Sequence, residues 1–569
     1  MRSTLRPSLI LVILLLVCAP DGSAGNIRDT KHNLSISGPG GITSSSEDRI
    51  CIFCHAPRKS MRADPFLWNR RGGDVRYIPY RSSTLNARVG QPTGVSKLCL
   101  SCHDGTIALG ALISEPREIP FRGGVRFLPY DRPGRLGTDL SDDHPISFVY
   151  NTRLASKNRD LKDPLMLPPE IHLDRNGQLQ CTACHDPHDD TYGKFLVMSN
   201  HYSRLCIACH DIKGWATASH SVSYAGLNKA ASGQWPNTDY HTVAENGCEN
   251  CHRPHSAGGH ERLLNHVFEE DNCLICHRGN VAASDIELEL TKPHGHPVHN
   301  YSGVHDAAEG RTTRYLPKHV ECMDCHNPHV ANDDAGPGAP FVSGPNQGVQ
   351  GIDISGQSIT SSQYQYEICF KCHADFSVIK SLPLARQINQ INTRLEFQPG
   401  NPSFHPVVAS GRNLDVPSLL HPYSTNSIIS CIDCHGSDDS GGTKGPHGSV
   451  YKFLLVNRYK IEDHTRESAY SYALCYKCHS RSSILSNQSF KYHRDHIVDQ
   501  QASCAVCHDP HGVSSTQGNQ SANSHLINFE VTSVRPDNLG RLYFQDLGRF
   551  AGQCFLSCHG KIHEVASYP

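Results

Sequence analysis

Twelve pairs of closely spaced cysteines run through the chain, and a histidine directly follows the second cysteine of every pair. The pairs use 24 of the 25 cysteines, with two residues between the cysteines in eleven pairs and three in the last. The twelve triads are Cys51/Cys54/His55, Cys99/Cys102/His103, Cys181/Cys184/His185, Cys206/Cys209/His210, Cys248/Cys251/His252, Cys273/Cys276/His277, Cys322/Cys325/His326, Cys369/Cys372/His373, Cys431/Cys434/His435, Cys475/Cys478/His479, Cys504/Cys507/His508 and Cys554/Cys558/His559. Any fold of this chain has to repeat one local arrangement of two thiols and an imidazole twelve times.

The CxxCH spacing is the signature of covalent haem c attachment. Each thiol adds across one haem vinyl group to form a thioether, and the adjacent histidine then lies under the iron as proximal ligand. We therefore predict twelve covalent haem c groups, one per triad. The Cys554/Cys558 site, with its longer spacer, departs from the pattern, so its attachment is the least regular.

Zinc ribbons and disulfide frameworks also use closely spaced cysteines. Histidine argues against both, because only 37 of 569 residues are histidine and yet one follows every second cysteine. Neither a disulfide nor a row of zinc ribbons requires that regularity. Haem attachment is the interpretation that accounts for it.

The N-terminus has the outline of a secretory signal peptide. Arg2 and Arg6 precede an apolar run at residues 9–17, and small residues follow at 22–24, which predicts a signal peptide over residues 1–24. Cys18 leaves lipid attachment open, although Val17 stands where a lipoprotein signal normally has a small residue. Beyond this segment the sequence has no run approaching the roughly 20 apolar residues of a membrane span. We expect an exported protein that is periplasmic, outer-membrane associated or extracellular.

Composition argues against a conventional core. Only 38% of residues are hydrophobic, and the chain has 46 glycines and 35 prolines. Twelve porphyrins would supply apolar surface in place of core side chains, and covalent tethers would offset part of the loop entropy. The predicted fold is a multihaem cytochrome c of low regular secondary structure, in which short helices and irregular chain wrap a closely spaced haem array.

The motifs fall into six pairs, which indicates an internal repeat of a two-haem unit. The first member of most pairs reads CxxCHxPH, as at residues 181–188, 248–255, 322–329 and 504–511. The first pair has Arg58 instead of the second histidine, and the fifth has a Gly-Pro-His at 445–447. The predicted modules are residues 25–150, 151–215, 216–285, 286–400, 401–485 and 486–569.

This paired pattern, together with LCLSCHDGT at 98–106 and DHPISF at 143–148, resembles the doubled-CxxCH multihaem cytochromes of metal-respiring bacteria. The motifs that carry the resemblance extend over residues 30–563. It implies respiratory electron transfer across the periplasm and outer membrane to extracellular acceptors. The partners it implies are other redox proteins, a porin-like outer-membrane barrel or like subunits.

Distal ligands would separate an electron carrier from a catalyst. The second histidine of CxxCHxPH stands three residues from the proximal one, a reach of at most about 10 Å, so it must serve another haem or none. The predicted distal ligands are His32, His144, His188, His241, His255, His296, His329, His405, His421, His447, His496 and His511. Credible substitutes are His220, His299, His319, His493 and His563.

Two main functions stay open at this point. The first is an electron conduit with every iron six-coordinate, which needs no catalytic residue. The second is a multihaem reductase of nitrite, hydroxylamine or a sulfur oxyanion, with one open iron, the first and last haems being the candidates. A haem store without redox traffic is a third possibility. The formal net charge is −2 before the haem propionates are added, which argues against nucleic-acid binding.

Overall fold

The computed structural model describes residues 25–57, 68–70, 72–226, 240–299, 319–375 and 383–568. The predicted signal peptide at 1–24, Cys18 and Arg58 lie outside these residues. The chain forms two compact units, Met1–Asn200 with Arg204–Asp211 and His201–Ser203 with Ile212–Pro569. The finer division into six modules remains a prediction.

Helices are short throughout the described residues, as predicted. The longest are α1, with ten residues, and α8, with nine. The α-helices are α1 Gly94–His103, α2 Thr152–Asn158, α3 Arg204–Ile207, α4 Ser219–Val222, α5 Val243–Asn246, α6 Glu269–Leu274, α7 Ile286–Leu290, α8 Gln365–His373, α9 Thr393–Glu396, α10 Ala473–Tyr476, α11 Arg481–Leu485 and α12 Cys504–Cys507. A single-turn π-helix spans Asp495–Asp499.

Several haem motifs form 3-10 turns instead of α-helix. Turns of this kind begin at Cys51, Cys181, Cys322 and Cys431, and Gly247–Asn250 contains Cys248. Away from the motifs, 3-10 turns span Ile27–Asp29, Arg122–Gly124, Pro164–Met166, His201–Ser203, Trp215–Thr217, Glu261–Leu263, Gly344–Asn346, Lys452–Leu454 and Ser524–Leu526.

Most strands are two residues long. They are β1 Ile78–Pro79, β2 Asp139–Leu140, β3 Phe148–Val149, β4 Gln178–Leu179, β5 His294–Gly295, β6 Gly351–Ile352, β7 Ser358–Ile359, β8 Ser403–Phe404, β9 Gly448–Ser449, β10 Gly512–Val513 and β11 Val534–Arg535. β1 pairs parallel with β2, while β3–β4, β5–β9, β6–β7 and β8–β10 are antiparallel. Such short ladders pin loops together at single points.

The C-terminus is the exception to this pattern. β12 Tyr543–Gly548, β13 Ala551–Cys558 and β14 Lys561–Tyr568 form an antiparallel sheet in which β13 pairs with β11, β12 and β14. Phe544, Phe555 and Leu556 are buried on these strands. Alternating apolar residues with a two-residue hairpin turn favour strands here over the helical turns of the other motifs.

Side-chain cores are small and local. One cluster in the first unit gathers Phe148, Tyr150, Leu154 and Leu179, and one in the second gathers Val506, Phe529, Val534, Phe544 and Leu556. Motif cysteines border both clusters. The apolar side chains therefore pack around the attachment sites, as expected of a fold that relies on bound porphyrin surface. Within the described residues, no helix has the length and hydropathy to cross a membrane.

Candidate functional site

Eleven of the twelve motifs share one local geometry. In nine of them the amide N–H of the histidine donates to the carbonyl of the first cysteine at 2.8–3.0 Å. The other two, at His103 and His373, close the helices α1 and α8. Residues three and four apart lie on one face of a helical turn. Each of these motifs therefore brings two thiols and an imidazole to the same side, the donor set that covalent haem c requires.

Ten proximal histidines each face a second histidine across the same gap. Their ring centres are 6.0–6.5 Å apart. The pairs are His55 with His188, His103 with His32, His210 with His144, His252 with His329, His277 with His220, His326 with His447, His373 with His296, His435 with His511, His479 with His405, and His508 with His493. Two imidazole nitrogens that each lie about 2 Å from an intervening metal ion put their ring centres about 6 Å apart. The gaps fit one iron each.

Eight of these ten partners are among the distal ligands predicted from sequence. The other two, His220 and His493, are among the substitutes. His220 lies on α4 in a Ser-His-Ser context, and neither histidine precedes a proline, so no local signal distinguishes them. His241 and His421 are exposed, and their ligand roles remain predictions. The roles of His255 and of the ligand opposite His185 also remain predictions.

A Pro-His dipeptide connects the distal ligands of neighbouring sites, and this contact occurs four times. The proline carbonyl accepts a hydrogen bond from Nδ1 of one distal histidine, while the next residue along the chain is itself a distal histidine of another site. The contacts join His32 to Pro187 at 3.0 Å, His220 to Pro328 at 3.0 Å, His296 to Pro446 at 3.0 Å, and His405 to Pro510. The histidines that follow these prolines are His188, His329, His447 and His511.

These hydrogen bonds select the tautomer that binds iron. A carbonyl only accepts, so Nδ1 carries the proton and the Nε2 lone pair is left for a metal. Proximal histidines are held in the same way, for example His252 by the Arg262 carbonyl and His326 by the Pro345 carbonyl, both at 2.9 Å. Such partners fix ring orientation and raise ligand basicity.

Burial keeps many of these imidazoles neutral. It lowers the pKa of seven histidines far below the ordinary 6.5, to about 3 for His493 and to about 4 for His277, His329, His435, His447, His479 and His508. The neutral imidazole is the form that ligates a metal. At neutral pH these side chains are therefore ready to bind iron without losing a proton.

Consecutive motifs are also neighbours in space within each unit. Four contacts join the first cysteine of one motif to the first of the next, and a thiol–thiol hydrogen bond there raises the pKa of Cys99, Cys273, Cys369 and Cys475. The pairs are Cys99 with Cys181, Cys273 with Cys322, Cys369 with Cys431, and Cys475 with Cys504. The alternate steps run through second cysteines. Burial first, and then Cys102, raises the pKa of Cys54 to about 12, and burial with Cys276 does the same for Cys251.

A buried ion pair links the seventh and eighth motifs. Lys371, between Cys369 and Cys372, lies 2.6 Å from an Asp324 carboxylate oxygen and also donates to the Asp324 carbonyl at 3.0 Å. The repeat provides the same pair between the ninth and tenth motifs, where Lys477 lies 3.8 Å from Asp433. The side chains of the first pair are 6% and 11% exposed, against 34% and 37% in the second.

Lys371→Met should therefore destabilise the protein by about 3–5 kcal/mol, because it leaves the buried Asp324 carboxylate uncompensated. Lys477→Met makes the same chemical change at the exposed pair and should cost about 0–1 kcal/mol. Urea denaturation of the two holoproteins measures the difference. Equal midpoints in the two variants would contradict this reading of the buried pair.

Glu269 is a buried acid on α6, between the sixth and seventh motifs. Its Oε1 accepts the Met323 amide at 2.8 Å, and burial raises the pKa of Glu269 from 4.5 to about 7. Between these values the folded protein holds a proton that the unfolded chain releases. The free energy of unfolding should therefore fall as pH rises through this window, by up to about 3 kcal/mol.

Glu269→Gln should remove that pH dependence. The urea midpoint of the variant should exceed that of the wild type at about pH 8 and match it at about pH 5. Glu287→Gln, an exposed acid on α7, is the matched control and should follow the wild type at both pH values. A Glu269 variant that tracks the wild type at both would refute the assignment.

The last motif differs from the other eleven. Cys554 and Cys558 lie on β13, and His559 follows in the hairpin turn. Nε2 of His559 lies 2.8 Å from Oδ2 of Asp463, and its ring stacks on His464 with centres 4.7 Å apart. One donor atom from each of these three side chains lies within 4.8 Å of the others. Two imidazoles and a carboxylate suit a borderline divalent cation.

Comparisons with known proteins agree with this donor set. The family described as "Doubled CXXCH motif" matches residues 172–214, which cover the third and fourth motifs. A 208-residue stretch is 24% identical to the multihaem cytochrome MtrA of Shewanella baltica, covering 35% of this chain and 43% of the relative. The match thus spans less than half of that protein. Both findings support haem c as the bound group, and we conclude that the chain belongs to the multihaem c-type cytochromes of the kind found in metal-respiring bacteria.

Proposed function

We propose that this protein conducts electrons along twelve covalent haems, in sequence order within each unit. Each haem iron, when bound, takes up and releases one electron. The observation that carries the proposal is the succession of cysteine contacts, in which the first cysteines of two motifs touch at every second step. Contacts of this kind make adjacent attachment sites direct neighbours.

The second step of the ladder runs through the opposite end of each motif. Cys184 has Cys209 as its neighbour, Cys325 has Cys369, and Cys507 has Cys554, and in each case burial is the larger cause of the raised thiol pKa. Because each motif uses one cysteine toward its predecessor and the other toward its successor, the local two-cysteine turn also sets the order of the series.

The histidine pairs support conduction more than catalysis. A proximal and a distal imidazole at one iron leave no position for substrate, whereas a reductase needs one open. The Pro-His contacts strengthen this, because one dipeptide orients the ligand of one site and supplies the ligand of the next. Neighbouring irons are thereby held in place by the same short piece of chain.

Within this proposal the route leads from respiratory carriers across the periplasm and outer membrane to extracellular acceptors. Its support is the signal-like N-terminal segment, the acidic charge that haem propionates add, and the resemblance to cytochromes of metal-respiring bacteria. Redox proteins are the proposed partners, with a porin-like barrel or further copies of this chain as the outer-membrane components.

Electron paramagnetic resonance of the air-oxidised holoprotein, with and without cyanide or nitrite, tests the proposal together with the intact mass. We expect twelve haems in the mass and only low-spin ferric signals that neither ligand alters. A high-spin signal that responds to nitrite would instead favour a reductase. Fractionation of producing cells, combined with reduction rates for an insoluble ferric oxide and a soluble acceptor, tests the extracellular role.

A further inference from the structure

We infer that the haem at Cys554 and Cys558 takes His563, and not the adjacent His559, as its chain-linked iron ligand, with His496 opposite. This inference rests on the proposed function, since it concerns one haem of the proposed series. His496 and His563 have ring centres 6.2 Å apart at an interplanar angle of 29°. That separation lies within the range of the ten proximal–distal pairs, although neither histidine directly follows a motif cysteine.

The strand geometry explains why His559 does not serve as in the other motifs. His559 and Gly560 form the two-residue turn between β13 and β14, and both have positive φ, 49° and 75°. This is the backbone of a type I′ hairpin turn, in which the second residue is commonly glycine. The helical turn that carries a histidine under the iron is thus replaced by a hairpin tip.

The same hairpin presents His563 to the two cysteines. Successive strand residues alternate between faces, so Cys554, Leu556 and Cys558 share one face of β13. His563 on β14 is the register partner of Leu556, and directly opposed residues lie on the same face. The extra residue at the register shift lies in β14, beyond His563, so β13 itself is regular across the motif. His563 is therefore centred between the two thiols.

His559 is held by other groups. Its Nε2, the atom an iron would need, is hydrogen bonded to Asp463 at 2.8 Å, and His464 stacks on its ring. Turning His559 toward the cysteines would break both contacts. His496 is already oriented as a ligand, because its Nδ1 donates to the Tyr492 carbonyl at 2.7 Å. It also lies three residues from His493, the partner of His508, so one short segment would serve the last two haems.

The test compares His563→Ala with His559→Gln in the purified holoprotein, by electron paramagnetic resonance and intact mass. His559→Gln keeps a hydrogen-bonding side chain toward Asp463 but removes the imidazole. We expect full haem mass in both variants, one high-spin haem per chain in His563→Ala that added imidazole returns to low spin, and only low-spin haem in His559→Gln. A high-spin or missing haem in His559→Gln would overturn the inference, as would an unchanged spectrum in His563→Ala.

A second substitution guards against misfolding of the alanine variant. His563→Met offers iron a thioether, and the methionine-to-ferric-iron charge-transfer band in the near infrared should appear, whereas His559→Met should not show it. The reverse pattern overturns the inference. Failure of the broader proposal is distinguishable, because it would already appear in the wild type as an open, ligand-responsive haem or as a missing haem.

Discussion

Removing the eighth haem should interrupt conduction through the second unit. Cys369→Ala with Cys372→Ala deletes both attachment points of a site that contacts the seventh motif through Cys325 and the ninth through Cys431. We expect an intact mass one haem short and a current through the protein that falls by orders of magnitude, because electrons would have to cross two steps at once. Scanning tunnelling spectroscopy of a protein monolayer measures that current.

Cys554→Ala with Cys558→Ala is the matched control for this deletion. It also removes one haem, but from the end of the series, so every internal contact between attachment sites is kept. Its current should fall far less than that of the internal deletion. Equal currents in the two double variants would argue against a route that follows the order of the motifs.

Truncating a single distal histidine should open a haem in a different motif from its own. His329 belongs to the Cys322 motif, but its ring faces His252 of the Cys248 motif at 6.1 Å. His329→Ala should therefore convert one haem per chain to a high-spin form that binds cyanide, without loss of haem mass. Electron paramagnetic resonance and cyanide titration give the number of haems affected.

The affected haem can be identified by combining substitutions. With Cys248→Ala and Cys251→Ala added, the high-spin signal of His329→Ala should disappear, since the haem it opens is no longer attached. His172→Ala, at an exposed position, should leave every haem low-spin. A high-spin signal that persists in the combined variant would mean that His329 serves another iron.

The stability changes expected for Lys371 and Glu269 come from the same architecture. Both side chains lie between consecutive motifs, where burial makes an unpaired charge expensive. Lys371 is paired with Asp324, whereas Glu269 accepts one amide hydrogen bond and holds its proton to about pH 7. Charge at these junctions therefore affects stability and protonation more than charge on the outer surface does.

What the sequence determined by itself is the local chemistry. A CxxCH segment closes one helical turn because the histidine N–H reaches the carbonyl of the first cysteine, so eleven attachment sites could be predicted from five residues each. Low hydrophobic content and frequent glycine and proline likewise predicted short helices and irregular chain. His-Pro and Pro-His dipeptides pointed to most of the distal ligands that face a proximal histidine.

Tertiary structure decided which partner each histidine has. His188 meets His55 and His329 meets His252 across long stretches of sequence, and such pairings depend on how loops close, for which local residues carry no signal. His220 and His493 became partners through position alone. At the C-terminus, strand pairing overrode the motif by turning His559 toward Asp463 and bringing His563 opposite His496, because cross-strand register joins residues that the spacing rule treats as unrelated.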